Sequence, residues 1–183
     1  PELPKPNLSK YHDEICTLIN KHFDEHPGFL DNPWFPVTRK EANEQFLDFI
    51  RNRMINFGVY EDAMLEGQNF LFHSCIRASM NIGLLSPKNI LEILLESADE
   101  FQIPMNSLEG FIRQVLGWRE FIRGIYQEKG DFQLTSNYWG HTGKLTNSWY
   151  EASPGILPLD DTIKTAIKNG NNHHIPRLPV LRN

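Results

Sequence analysis

Apolar residues in this chain recur at intervals of three and four, and nowhere do they alternate with period two long enough to make a strand. That spacing is the mark of helices that each bury one stripe, and it predicts an all-α fold. Ile15, Leu18, Ile19 and Phe23 give such a stripe in a first helix that Ser9 can cap, running through His26 to a stop at Pro27-Gly28. Thr38 is placed to cap a second, with Ala42, Phe46, Phe49, Ile50 and Met54 on its apolar face and Gly58 beyond its end. A third helix is expected over 72–81, stopped by Gly83, and a fourth opens at Ser86-Pro87 and continues to about Phe101. Asn106 and Glu109 have capping-box spacing at the head of a long fifth helix reaching about Lys129. After an irregular aromatic and polar stretch from Gly130 to Gly155, Asp160 or Asp161 can cap a last helix ending near Asn169-Gly170. The expected organisation is a stiff proline-rich linker or tail over 1–8, a helical domain over 9–170 and an irregular tail over 171–183.

Composition narrows the function classes. With 40% hydrophobic and 22% charged residues the chain reads as globular. No apolar run approaches the roughly 20 residues of a spanning helix, and no signal peptide is visible, so no membrane association is expected. Cys16 and Cys75 cannot build a disulfide framework and read as free thiols in helical, apolar settings, which suits the cytoplasm. A net charge of −5 excludes general coating of nucleic acid, so any DNA contact would rest on local arginines.

Three clusters could carry chemistry. On the fifth helix Arg113, Gln114, Gly117 and Trp118 lie within about one and a half turns, followed by Arg119. Gly110, Gly117 and Gly124 recur every seven residues, each costing about 1 kcal/mol against alanine, a bare stripe for a flat group or for another helix. Ser74 near a helix start, with Arg77 one turn on, is an arrangement that grips a phosphate, although many helices begin this way. Pro154-Gly155 delivers Asp160 and Asp161 to a helix start, where N-capping accounts for one of them. His22, Glu25 and His26 match an inverted zinc-protease spacing that would need Glu92 or Glu96 as a further ligand, yet the motif abuts Pro27-Gly28. His173 and His174 are adjacent and would diverge by about 100° on a helix, a poor metal pair.

Taken in order, Trp34–Arg39, Phe57–Met64, Phe72–Ser74, Asn81–Pro87 and above all Glu109–Phe121 resemble the bacterial photolyase-related proteins. These form the iron–sulfur branch of the photolyase/cryptochrome superfamily, which includes prokaryotic (6-4) photolyases. The resemblance runs from about Trp34 to about Leu178 and implies part of the multi-helix, C-terminal FAD-binding domain, incomplete. It further implies an FAD cavity built from Tyr60, Ser74, Arg77, Arg113, Gln114 and Trp118, with Asp160, His174 and Arg177 at the far wall. Trp118 and Arg119 would face a lesion in damaged DNA, the former by stacking and the latter by phosphate or base contact. Trp139 and Trp149 are either hole carriers or core aromatics. The departures are as informative. Leu91 stands near a position where the family would place a cluster cysteine, so no iron–sulfur cluster is expected. Pro176 and Pro179 disfavour the helix that would continue past His173-His174-Ile175, and Asn171-Asn172 replace the usual aromatic and small pair. The resemblance thus implies a chain that does not catalyse alone and needs missing domains or a partner chain. A flavin-free helical scaffold is the alternative, and a zinc hydrolase a lesser one.

Overall fold

The computed structural model describes residues 5, 8–30, 33–172 and 175–181, and among them every regular element is helical. The order is α1 (His12–His22), α2 (Arg39–Asn52), α3 (Met54–Tyr60), α4 (Arg77–Asn81), α5 (Pro87–Ser97), α6 (Met105–Ile112), a π-type segment (Arg113–Gly117) and α7 (Trp118–Thr135). Then come α8 (Asn147–Tyr150), α9 (Leu157–Asn169) and a wide helical turn over Pro176–Val180.

α2 begins where its sequence directs. Thr38 Oγ1 accepts from the Glu41 amide at 3.2 Å while the Glu41 carboxylate accepts from the Thr38 amide, also at 3.2 Å, a complete capping box. The stripe Ala42, Phe46, Phe49, Ile50 and Met54 is buried throughout. With Phe57 and, from later helices, Ile90, Leu94, Phe111 and Val115, it forms the main core. Phe111 lies at its centre, 5.0 Å from Phe49 and edge-on to Phe57 at 5.7 Å, within the range where aromatic pairs attract beyond their buried area. α5 starts at the cap the sequence offers, Ser86 Oγ accepting from the Asn89 amide at 3.1 Å ahead of Pro87. It ends at Ser97, four residues before the expected Phe101.

Gly58 does not end a helix. It lies inside α3, which runs along α6 so closely that a Cβ at Gly58 would sit 2.6 Å from the Asn106 carbonyl carbon and the Ser107 nitrogen. The glycine is there for approach, not termination, and its amide donates to the buried Ser107 hydroxyl at 2.8 Å. The third helix is likewise shorter than its spacing suggests. Residues 71–76 bury Leu71, His73 and Ile76 only by turning, with Leu71 and Cys75 in the left-handed region (φ 41° and 58°), which a right-handed helix forbids. α4 therefore starts at Arg77, and Cys75 lies in this turn rather than in a helix. α1 spans only His12–His22, without a side-chain cap. Ser9 instead receives the Tyr11 amide just before the helix, at 3.2 Å. No residue of α1 is buried.

A smaller cluster of Ala152, Leu159 and Ile163 packs with Trp149, Ile167, Val180 and Leu181 around α9. Neither aspartate caps that helix. Asp160 sits within its first turn and its carboxylate accepts from the Gly155 amide at 3.1 Å. Gly170 closes α9 in the left-handed conformation, φ 62°, as the sequence proposes. Pro176 does not prevent a helical turn over 176–180, because it stands at the first position, where a backbone amide would have no intrahelical acceptor. The Trp34 indole donates to the Asn169 carbonyl at 2.9 Å, tying the segment before α2 to the end of α9. No helix among the described residues is long and apolar enough to cross a membrane.

Candidate functional site

The long fifth helix of the sequence is real and longer than expected, reaching Thr135, but it is not uniform. Right-handed helical backbone continues through Ile112, Arg113, Gly117 and Trp118, while the hydrogen bonding over Arg113–Gly117 widens to the π pattern. The start differs as well: Pro104 occupies the cap position and no side chain caps the helix, so the Asn106/Glu109 box does not form. π segments are uncommon and concentrate where side chains must be re-aimed. This one holds Arg113 and Gln114 and hands the chain on to Trp118 and Arg119.

Each of these side chains has a definite partner. Gln114 Nε2 donates to Glu61 Oε1 at 2.6 Å, linking the π segment to the end of α3. Gly110 leaves room for the same carboxylate, whose Oε2 would lie 3.0 Å from a Cβ there. Arg113 pairs with Glu109 at 2.6 Å on an exposed surface. Trp118 is 49% exposed, its ring edge-on to Phe121 at 5.9 Å. Arg119 is partly buried. Nη1 donates to the Val115 carbonyl at 3.4 Å and Nη2 reaches Met80 Sδ at 3.6 Å. Burial, and then the like charge of Arg77, lower its pKa from the usual arginine value. Arg77, distant in sequence, is thus near enough for its charge to act on Arg119.

Other expected members of the site lie apart from this group. Tyr60 stacks on Phe72 at 5.2 Å. Ser74 precedes the helix that begins at Arg77, so no helix amides gather round its hydroxyl for a phosphate, and α4 has only five residues. Asp160 lines a cleft of about 330 Å³ between the 64–69 loop and α9, together with Met64, Gln68, Asn69, Thr165 and Pro176. Thr165 Oγ1 donates to Asn69 Oδ1 at 3.2 Å across the base of that cleft. No residue of 113–119 lines it. Arg177 is half-buried in the turn beyond, and His174 lies outside the described residues. Of the tryptophans, Trp149 packs on the smaller core, whereas Trp139 is 78% exposed and no core residue.

Sequence reasoning missed Arg53. Its side chain is wholly buried between α2 and α3, 3.1 Å from Asp48 Oδ2 and 5.8 Å over the Phe49 ring. Burial lowers its pKa from the usual value while Asp48 raises it. The signal was present, since position 53 follows Phe49 by four and Phe46 by seven and so falls on the apolar stripe. Its partner was not visible, because a separation of five is not a helical pair. The Glu61–Gln114 link joins residues 53 apart and had no local signal. The zinc reading loses its geometry: His22 ends α1, His26 lies beyond it, and both rings pack against Phe23, at 6.5 and 5.3 Å. No group of three metal-binding side chains occurs among the described residues.

An all-helical domain with a π-interrupted rod carrying a half-exposed indole and a partly buried guanidinium is the class of structure the geometry defines. Over all 183 residues the chain is 32% identical to the (6-4) photolyase of Agrobacterium fabrum, and it spans 36% of the length of that protein. It is also 32% identical, over 113 residues, to an uncharacterized protein of Acanthamoeba polyphaga mimivirus, a match covering 61% of this chain and 86% of the other. No family model matches. The chain is thus similar, along its whole length, to about a third of a (6-4) photolyase.

For FAD the described residues do not suffice. The cleft beside Asp160, about 330 Å³, is at the low end of the roughly 300–1,000 Å³ of small-molecule pockets, and a second of about 570 Å³, lined by Tyr150, Lys164 and Lys168, includes none of the expected residues. The amide and guanidinium donors expected to hold it are turned to Glu61, Glu109, Val115 and Met80. Among the described residues the side chains expected at such a site do not converge on one closed cavity.

Proposed function

We propose that this chain is a helical segment of a photolyase-type protein of the iron–sulfur branch, and that it does not catalyse by itself. The full-length match to part of a (6-4) photolyase carries this reading. In the complete protein a flavin supplies light-driven electron transfer to a DNA lesion. This chain contributes part of the wall around it and a lesion-facing pair, Trp118 and Arg119. Half-exposed and at the end of the π segment, Trp118 has the geometry to stack on an extruded base. Arg77 and Arg119 supply local positive charge on a chain whose net charge is −5, the form any DNA contact must take here.

The test is replacement. Grafted into the Agrobacterium fabrum photolyase in place of its matched segment, the chain should preserve flavin absorbance in the purified protein, whereas the isolated chain should purify colourless. A grafted protein that is folded by circular dichroism yet takes up no added FAD would refute the reading.

A further inference from the structure

The cleft of about 570 Å³ takes no part in the reading above. It is formed by the loop ahead of α2, the end of α8 and the second half of α9. Two of its lining residues, Ala152 and Ile167, belong to the smaller core and anchor it to the body of the domain. Phe29 and Tyr150, from distant parts of the chain, each bring a ring to it and are 66% and 68% exposed. Lys164 and Lys168 line it one turn apart on α9, and Glu151 is the carboxylate among the lining side chains.

Packing and capping leave three features of this cleft unexplained. Like charges four residues apart on a helix repel, and among the described residues neither ammonium is in an ion pair, unlike Lys40 with Glu44 and Lys88 with Glu92. Lys168 sits in the last turn, where a cation complements the carbonyl end of the helix. Lys164 lies a turn earlier and has no such duty; it follows Asp160 by four and Asp161 by three yet pairs with neither. Asn169 lines the same cleft. Its carbonyl accepts from the Trp34 indole, whereas its Nδ2 is buried and has no acceptor among the described residues. A buried donor without an acceptor is costly. The third feature is the pair of exposed rings at one cleft.

The geometry points to this cleft as a binding site for a small phosphorylated ligand with one planar ring, a mononucleotide in size and chemistry. The ammonium groups meet the phosphate as point charges, the rings of Phe29 and Tyr150 offer faces on which a base stacks, and the Asn169 amide donates to a ligand oxygen. Two ammonium groups against one carboxylate leave the lining positive on a chain whose net charge is −5. The volume lies well inside the range of small-molecule sites. The site owes nothing to the photolyase-type reading and stands or falls apart from it.

Titration of AMP into the chain, followed by amide chemical shifts, tests it. AMP should shift the amides of 150–152 and 164–169 and bind with a dissociation constant of about 1 mM or tighter, and adenosine should bind at least about tenfold more weakly. Lys164→Glu with Lys168→Glu, both exposed, should keep the circular dichroism of the parent and weaken AMP by about tenfold or more while leaving adenosine unchanged. Tyr150→Ala should weaken both ligands, and Lys88→Glu, exposed on α5, should weaken neither. Shifts confined to residues 64–69, adenosine binding as tightly as AMP, or an AMP affinity indifferent to the lysine reversal each overturns the proposal. So does a short deoxyadenosine strand that binds these same amides far more tightly than AMP, which would make the ligand a nucleic acid rather than a free nucleotide.

Discussion

Substituting Gly58 by alanine should separate α3 from α6, and the structure sets the scale of the effect. The new Cβ would stand 2.6 Å from the Asn106 carbonyl carbon and the Ser107 nitrogen, against roughly 3.5 Å for ordinary contact between heavy atoms. Both obstacles are backbone, so neither can rotate away, and α6 would have to retreat by about 1 Å. That motion would lengthen the 2.8 Å bond from the Gly58 amide to the Ser107 hydroxyl, which is fully buried. It would also loosen Phe57 against Phe111. Overpacking of this kind costs about 1–3 kcal/mol, and a strained buried hydrogen bond adds about 1 kcal/mol. Alanine's better helix propensity returns about 1 kcal/mol. The net expectation is a loss of about 1–3 kcal/mol, read from the urea midpoint at unchanged slope. Gly124→Ala is the internal comparison: nothing lies within 4 Å of its Cβ position, so the same change there should stabilise by up to about 1 kcal/mol. If Gly58→Ala is as stable as the parent, the close approach of the two helices does not set the cost and the reasoning fails.

Arg53→Ala should destabilise by about 3 kcal/mol or more, because it empties a fully buried volume and leaves Asp48, still bonded to Asn52, without its guanidinium; urea unfolding would show it, and a loss below about 1 kcal/mol would contradict the burial argument. Glu61→Ala leaves the Gln114 amide without its 2.6 Å acceptor and should cost about 1–2 kcal/mol, visible in the same assay. Burial raises the Cys75 thiol from 9.0 to about 12, which keeps it protonated, so although both thiols are partly exposed, iodoacetamide at pH 8 should label Cys75 in the folded chain more slowly than in the unfolded chain. Because the folded chain keeps that proton where the unfolded chain releases it, stability should fall as pH rises from 9 towards 12, and Cys75→Ala should flatten the fall.

The sequence made the helices legible where local chemistry decides them. Thr38 with Glu41, Ser86 with Pro87, and Gly170 each mark an end that the structure keeps, since a cap is settled by atoms a few residues apart. Gly58 misled because a glycine reads the same whether it stops a helix or admits another one, and only the partner, 49 residues on, distinguishes them. The turn over 71–76 was hidden for a similar reason: burying Leu71, His73 and Ile76 outweighs the helical preference of the segment, and that gain belongs to tertiary packing. Of the candidate site, the clustering of Gln114, Trp118 and Arg119 on one rod could be read directly from spacing. The pairing of Gln114 with Glu61 and the nearness of Arg77 to Arg119 could not, because both join elements distant in the chain.

The π segment also resets the phase of everything after it. In an unbroken α-helix residues seven apart nearly eclipse, so Gly110, Gly117 and Gly124 would line one side. A single extra residue per turn rotates the downstream part by about 100°. Gly110 accordingly faces Glu61, while Gly117 and Gly124 face open space. The same rotation fixes which side of α7 carries its aromatic residues. Five residues therefore act as a coupling between two lengths of one shaft: α6 is locked to the core through Phe111, and α7, which buries no residue of its own and reaches α4 through Arg119, leaves at an angle set by the bulge.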